Sequence, residues 1–194
     1  HLAALRAIPN LAVFRPADSI ETAECWALAL SRESGPSVLA LTRQNLPIVR
    51  YNTERTNPCA GGAYELLSAD GVAVVTLLAS GSEIAIAVEA RDRLQDANIP
   101  TRVVSMPCWE LIENLEITMR ATLLGRGTLR VGIEAAVRSG WDQWIGEDGM
   151  FFGMTGFGAS APYKDLYDHF GLTAEKIATR VHHHLDTTAP RQKG

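Results

Sequence analysis

The sequence predicts an α/β protein: a three-layer αβα C-terminal domain with a mainly parallel sheet, preceded by a remnant of a second α/β domain. Short apolar runs alternate with segments of helical periodicity along most of the chain. Residues 48–62, rich in Pro, Gly and Asn, interrupt that alternation once and indicate a connector. Strands separated by helices favour a parallel sheet covered on both faces. We therefore expect a remnant at residues 1–54 and the C-terminal domain at 55–194.

The first region has the pattern of two helices and two strands. Residues 2–8 are apolar at helical spacing and end at a Pro-Asn pair. Asp18 or Ser19 can cap the second helix, because Glu21 lies in its first turn and apolar residues recur at helical spacing behind it. The strands are expected at residues 11–14 and 37–41.

The second region repeats the alternation. Strands are expected at residues 72–78, 101–105 and 129–134, and helices at 83–94, 111–124, part of 135–144, 163–170 and 173–185. Residues 153–162 are expected to form a Gly-rich loop that packs against the domain or another subunit. The polar tail, residues 186–194, is expected to fray.

Composition excludes several classes of protein. The net charge of -4 and the absence of a basic stripe argue against nucleic-acid binding. No apolar run approaches the ~20 residues of a membrane span. Three cysteines without a C-x-x-C pair favour a reducing, cytoplasmic compartment and exclude a zinc ribbon. A start at His1, without Met or a signal-peptide pattern, predicts a truncated or processed chain.

Arg43 is the first candidate for a binding residue. It follows a predicted parallel strand, and ligands of open α/β sheets gather at the carboxyl ends of the strands. Its planar guanidinium can bind a phosphate at two points. The alternative from position alone is a solvated arginine at a strand end.

Ser80 to Glu83 is the second candidate, because it lies between a strand and a helix. The S-x-x-E spacing predicts a capping box in which Ser80 accepts from the Glu83 amide. An anion site at the helix N-terminus is the alternative. The carboxylate of Glu83 would repel an anion, so we favour the cap.

Four further features are weaker candidates. The glycines of residues 153–158 have the wrong spacing for a dinucleotide fingerprint. The histidines at 182–184 point about 100° apart on a helix, which favours a solvated helix end over a metal site. The acidic turn at 142–148 is interpreted as a solvated loop. Glu134, at a strand end, is expected to serve an interface or a cap.

Four ordered motifs resemble those of transketolases, over residues 1 to about 185. The segment at 41–47, L-T-R-Q-N-L-P, resembles the family's S/T-R-Q-N-L-P segment. The others are P-N with F-R-P-A-D at 9–18, A-S-G-S-E followed by V-V-S-M-P at 79–107, and G-M-T-G-F-G-A-S-A-P at 153–162. The R-Q-N-L-P and F-G-x-S-A-P forms are more similar to transketolase than to its thiamine-dependent relatives.

The resemblance implies a homodimeric transferase that uses thiamine diphosphate with Mg²⁺ or Ca²⁺, in the pentose phosphate pathway and the Calvin cycle. The parent enzyme would move a two-carbon ketol unit from a ketose phosphate to an aldose phosphate. Residues 1–54 would be the end of the pyrimidine-binding domain and 55–194 the C-terminal domain. Arg43 would match the family arginine that binds the sugar phosphate.

The family's metal motif, catalytic glutamate, histidine cluster and aromatic cofactor pocket would precede His1. The resemblance therefore assigns no catalytic, cofactor-binding or metal-binding residue to this chain, and we expect the isolated chain to be inactive with no cofactor bound. The alternative is a non-catalytic α/β module for assembly or for binding a regulatory small molecule. We expect no nucleic-acid or membrane partner.

Overall fold

The computed structural model describes residues 1–51 and 56–188. Two helices and two strands make up the first part: α1 (Leu2–Arg6), β1 (Ala12–Phe14), α2 (Ser19–Ser31) and β2 (Ser37–Leu39). β1 and β2 pair in parallel, with Val13 opposite Val38. α2 begins after Asp18, whose carboxylate accepts from the Glu21 amide at 2.9 Å, so Asp18 is the cap.

The second part contains a five-stranded sheet. Its strands are β3 (Tyr64–Leu67), β4 (Val75–Ala79), β5 (Thr101–Ser105), β6 (Leu129–Val137) and β7 (Met150–Met154). The order across the sheet is β3-β5-β4-β6-β7, with only β3 antiparallel to its neighbour. The helices are α3 (Glu83–Asp96), α4 (Trp109–Ile112), α5 (Ile117–Leu123), α6 (Asp142–Ile145), α7 (Tyr163–His169) and α8 (Ala174–Thr188), with a short 3₁₀ helix at Pro58–Gly61 before the sheet.

The sheet is covered on both faces, which confirms the predicted α/β class. Along β4, Val75, Leu77 and Ala79 face a core shared with α3 and α8, while Leu78 faces the opposite core. This alternation is the two-residue period of a strand buried on both sides. None of the described helices is long and apolar enough to cross a membrane.

Three tryptophans form the centre of the core on the face of the sheet opposite α3 and α8, the face that Leu78 contacts. Trp109 makes edge contacts with Trp141 and Trp144, with ring centroids 5.0 and 5.7 Å apart. Gly132 of β6 lets them approach the sheet, because a Cβ at this position would lie 2.7 Å from the Trp141 ring. The aromatic packing therefore depends on the absence of a side chain at this one position.

The first part docks on the second through the free edge of β1. The Arg15 amide donates to the Pro107 carbonyl at 2.7 Å, and the Val13 amide donates to the Glu110 carboxylate at 3.1 Å. Phe14 also forms an antiparallel bridge with Cys108. All three cysteines are buried as free thiols, in one cluster at this junction. Strand β1 is thereby hydrogen-bonded on both sides, which protects an otherwise open edge.

Several expected boundaries differ from the structure. Strands β3 and β7 were not predicted: the first lies next to the expected connector and the second overlaps the expected Gly-rich loop. The helix expected at 111–124 is two short helices, α4 and α5. β6 continues to Val137 into the expected helix, because pairing with β7 extends it after an irregular register. The expected domain boundary, between residues 54 and 55, lies outside the described residues. Helix α8 extends to Thr188, into the tail expected to fray, and residues 189–194 of that tail are also outside the described part.

Candidate functional site

The site lies where the strand order of the large sheet reverses. β4 and β6 are neighbours, but the chain leaves β4 for β5 on one side and leaves β6 for β7 on the other. Ligands of open α/β sheets bind in the crevice that such a reversal creates at the carboxyl ends of the strands. Ala79 pairs with Ile133, so Ser80 and Glu134 lie beside each other at this point.

Two arginines from the first part occupy that crevice. Arg6 donates to both carboxylate oxygens of Glu134, at 2.8 and 2.9 Å. Arg15 lies 2.5 Å from the Glu83 carboxylate and donates to the Ser80 carbonyl at 2.7 Å. The Ser80 hydroxyl donates to Glu134 at 2.7 Å. The position that commonly binds a ligand is therefore filled by protein side chains.

The cluster is electrically balanced, since it contains two guanidiniums and two carboxylates, all of them buried or nearly so. Burial alone would raise the pKa of Glu134, but the hydrogen bond from Arg6, the charges of Arg15 and Arg6, and the Ser80 hydroxyl lower it to about 2. Trp141 Nε1 adds a further bond at 2.9 Å. Glu134 thus holds the two parts of the chain together, in line with the interface role expected for it.

The predicted capping box at Ser80 to Glu83 is wrong. Ser82, not Ser80, immediately precedes α3, and no side chain caps the helix. Ser80 is instead bound to Glu134, and Glu83 accepts from the Ala135 amide at 3.1 Å. Gly81 has φ +60°, and a Cβ there would lie 2.8 Å from Arg15 Cγ. Attraction from the buried arginine outweighs the local cap, because a buried charge needs a partner more than an amide at a helix end does.

Arg43 lies at a cleft next to this cluster. It follows β2 by four residues, is exposed, and lines a cleft of about 320 Å³ together with Arg15, Glu83 and Tyr167. No other residue in the described ranges forms a hydrogen bond or ion pair with the Arg43 side chain. As far as the described residues go, its guanidinium has no carboxylate competing with an anion, whereas those of Arg6 and Arg15 are neutralised.

A larger cavity of about 720 Å³ lies on the other side of Tyr167. It is lined mainly by apolar residues of β6, α7 and the loop after β7, and no arginine or lysine is among its described lining residues. Within this single chain Phe157 of the Gly-rich loop is fully exposed, while Phe152 of β7 is buried in the core, so packing of the loop against another subunit stays a prediction. The chemistry of this cavity suits an apolar group rather than a phosphate.

The remaining candidates lie apart from the cleft. His182 and His183 are exposed on α8, and His182 Nε2 is 3.7 Å from Asp186. Asp142 begins α6 and pairs with Arg138 at the surface, at 2.7 Å. Within the described residues there is no group of three His, Cys, Asp or Glu side chains that could hold a metal ion.

Sequence reasoning missed Arg6, Arg15 and Tyr167. Arg15 follows β1 directly, so the strand-end rule that selected Arg43 also applies to it. Arg6 ends a helix of five residues and has no local signal of burial. Tyr167 lies on α7, and only the tertiary structure brings its hydroxyl to Glu83, at 2.7 Å.

Two family models match this chain. The Transketolase-like TK C-terminal domain matches residues 62–173, and the Transketolase, pyrimidine binding domain matches residues 1–49. Transketolase from Sinorhizobium medicae is 57% identical over 182 residues, which are 93% of this chain and 26% of that protein. The chain thus spans about a quarter of the length of the curated relatives it matches.

Solved structures agree over nearly the whole chain. Transketolase from Leishmania mexicana superposes with a TM-score of 0.85 at 37% identity, over 100% of this chain and 28% of that one. A transketolase complex with sedoheptulose-7-phosphate from Pichia stipitis gives 0.86 at 31% identity, over 96% and 27%. A split gene transketolase described as an inactive β4 tetramer gives 0.78 at 28% identity, over 95% and 61%. The sequence and its fold thus place the chain in the transketolase family.

Proposed function

We propose that the chain is the C-terminal part of a transketolase whose parent enzyme transfers a two-carbon ketol unit from a ketose phosphate to an aldose phosphate. The family and the sugar-phosphate complex of the Pichia stipitis relative support the substrate class. The observation that carries the proposal for this chain is Arg43, an exposed guanidinium at the edge of a cleft that no described residue binds. Residues 1–54 would belong to the pyrimidine-binding domain and 55–194 to the C-terminal domain.

Arg43 would bind the phosphate of the sugar. A guanidinium can donate two parallel hydrogen bonds to phosphate, so it fixes the direction of the substrate as well as its affinity. Binding energy at the phosphate would then hold the reacting carbonyl in place at the other end of the sugar. This is a positioning function, and no bond is made or broken at Arg43.

We propose no described residue as a ligand of thiamine diphosphate or of its Mg²⁺ or Ca²⁺. Magnesium and calcium bind carboxylate and carbonyl oxygens, and the two carboxylates nearest the cleft, Glu83 and Glu134, are already paired with arginines. We therefore assign the cofactor to other polypeptide of a cytoplasmic, homodimeric parent enzyme. The isolated chain would then have no ketol transferase activity, as the related inactive β4 tetramer suggests.

The alternative is a non-catalytic module that serves either assembly or the binding of a regulatory small molecule. Of these two roles, the structure favours assembly. Arg6 and Arg15 fill the crevice between β4 and β6, where a regulatory small molecule would bind in many open α/β sheets. The same contacts hold the first part of the chain against the sheet. A C-terminal domain that positions the neighbouring domain accords with this arrangement, and it is compatible with the proposed parent enzyme.

Two assays test the proposal. The purified chain of 194 residues should give no product in a coupled ketol-transfer assay with thiamine diphosphate and Mg²⁺, and turnover would contradict it. In the full-length enzyme, Arg43→Ala should reduce kcat/KM for phosphorylated sugars about 10- to 150-fold. This corresponds to a loss of ~1.5–3 kcal/mol of transition-state stabilisation.

A matched control is available. Arg126 is also exposed and has no partner among the described residues, but it precedes β6 at the opposite edge of the sheet. Arg126→Ala should leave kcat/KM unchanged. Equal effects of the two substitutions, or no effect of Arg43→Ala, would remove Arg43 from the site.

A further inference from the structure

The loop that carries Arg43 is attached to the C-terminal part through its next residue. Gln44 Nε2 lies 3.5 Å from the Tyr167 hydroxyl, which belongs to α7. The other atom of the Gln44 amide, Oε1, accepts a hydrogen bond from the Thr42 hydroxyl. Arg43 therefore lies between Thr42 and Gln44, whose side chains are hydrogen-bonded to each other, and Gln44 is also hydrogen-bonded to Tyr167 of α7.

The Tyr167 hydroxyl has a defined direction. It donates to Glu83 Oε1 at 2.7 Å, so its lone pairs remain available for the Gln44 amide. Burial, followed by the charge and hydrogen bond of Glu83, raises the pKa of Tyr167 above its ordinary value, so the hydroxyl keeps its proton. Ser82 Oγ lies 3.1 Å from the same oxygen.

Glu83 is itself fixed from two sides. Arg15 lies 2.5 Å from its Oε2, and the Ala135 amide donates to the same oxygen at 3.1 Å. Both Arg15 and Glu83 are buried, and Arg15 is held by the Ser80 carbonyl. A continuous series of hydrogen bonds thus runs from the buried ion pair through Tyr167 to the loop of Arg43.

We propose that Tyr167, oriented by Glu83, is a positioning residue that holds Gln44 and so sets the direction of Arg43 at the cleft. Because no described residue binds the Arg43 side chain, the loop backbone alone fixes the point from which that side chain reaches the cleft. A shift of about 1 Å in such a positioning group is costly in an enzyme. This inference depends on the phosphate-binding role proposed for Arg43.

The test uses Tyr167→Phe in the full-length enzyme, since this change removes the hydroxyl and keeps the ring. The KM for phosphorylated sugars should rise about 3- to 10-fold, the range for loss of one hydrogen bond. The kcat should stay the same, while the thermal midpoint should fall because the buried Glu83 carboxylate loses one donor. The KM for an unphosphorylated ketol donor and aldehyde acceptor should also stay the same, because these do not use Arg43.

Gln44→Ala is the second variant, because it lies in a surface loop and should not affect folding. It should reproduce the kinetic phenotype of Tyr167→Phe. Tyr163→Phe is the matched control: Tyr163 is on the same helix, its ring centroid lies 6.0 Å from that of Tyr167, and its hydroxyl has no hydrogen bond among the described residues. It should leave every kinetic constant unchanged.

The decisive measurement is the double variant. If Tyr167 acts through Arg43, Tyr167→Phe should have no further effect on KM in the Arg43→Ala background. Additive effects, or an equal rise in KM for unphosphorylated substrates, would overturn the inference while leaving the role of Arg43 intact. An Arg43→Ala variant with unchanged KM for phosphorylated sugars would instead show that the proposed function has failed, and the inference with it.

Discussion

Arg6 binds Glu134 through both terminal nitrogens, at 2.8 and 2.9 Å, across a separation of 128 residues in sequence. The pair joins α1 of the first part to β6 of the large sheet. The Arg6 guanidinium also stacks 3.5 Å from the centre of the Trp109 ring. The Arg6 side chain thus makes two contacts that join the first part of the chain to the second, one with Glu134 and one with Trp109.

Arg6→Ala should destabilise the fold strongly. It leaves the Glu134 carboxylate buried with one partner fewer, and breaking a buried pair costs about 3–5 kcal/mol. Urea unfolding of the 194-residue chain would measure the loss. Arg93→Ala is the control, since its pair with Glu89 is exposed and should contribute about 0.5 kcal/mol or less. Similar losses in both variants would contradict the prediction.

Glu134 should make the fold sensitive to acid. Its pKa is lowered from 4.5 to about 2 in the folded chain, so its contribution is full above pH 4.5 and disappears as the pH falls toward 2. The loss should be roughly 3 kcal/mol, at 1.36 kcal/mol per pKa unit. Glu134→Gln should flatten the acid side of the curve of unfolding free energy against pH. An unchanged slope between pH 5 and 2 would refute the assignment.

Glu21 should have the opposite effect. Burial raises the pKa of its carboxyl, although Ser105, Tyr64 and the Ala17 amide all donate to it. Its protonated form is favoured by folding, so its contribution is present below pH 4.5 and is lost as the pH rises through the folded pKa. Glu21→Gln should gain stability relative to the wild type between pH 4.5 and 7. The exposed Glu33→Gln should show no such trend.

Gly132→Ala tests the aromatic core. The new Cβ would lie 2.7 Å from the Trp141 ring and 3.0 Å from Phe151, and overpacking of this kind costs ~1–3 kcal/mol. Gly156→Ala is the matched control, because nothing lies within 4 Å of its Cβ position. Thermal unfolding followed by tryptophan fluorescence would compare them. A stable Gly132→Ala variant would mean that the sheet and the tryptophans separate easily.

Much of the fold follows from local pattern. The strand at Thr101–Ser105 and the start of α3 at Glu83 lie where the sequence predicts them, because apolar runs bounded by polar turns and a 3.6-residue period are strong local signals. The sequence pattern did not predict strands β3 and β7. Both lie at the edges of the sheet, where half-buried residues and glycines weaken the apolar pattern and pairing partners decide the conformation.

By itself the sequence determined the α/β class, the resemblance to transketolases and the choice of Arg43, since each depends on residues close together in the chain. Only the tertiary structure decided what Ser80, Glu83 and Glu134 do. Locally, Ser80 and Glu83 match a helix cap, but Arg15 and Arg6 reach them from the other part of the chain. Buried charges must be paired, and the partner with the opposite charge is set by packing rather than by sequence distance.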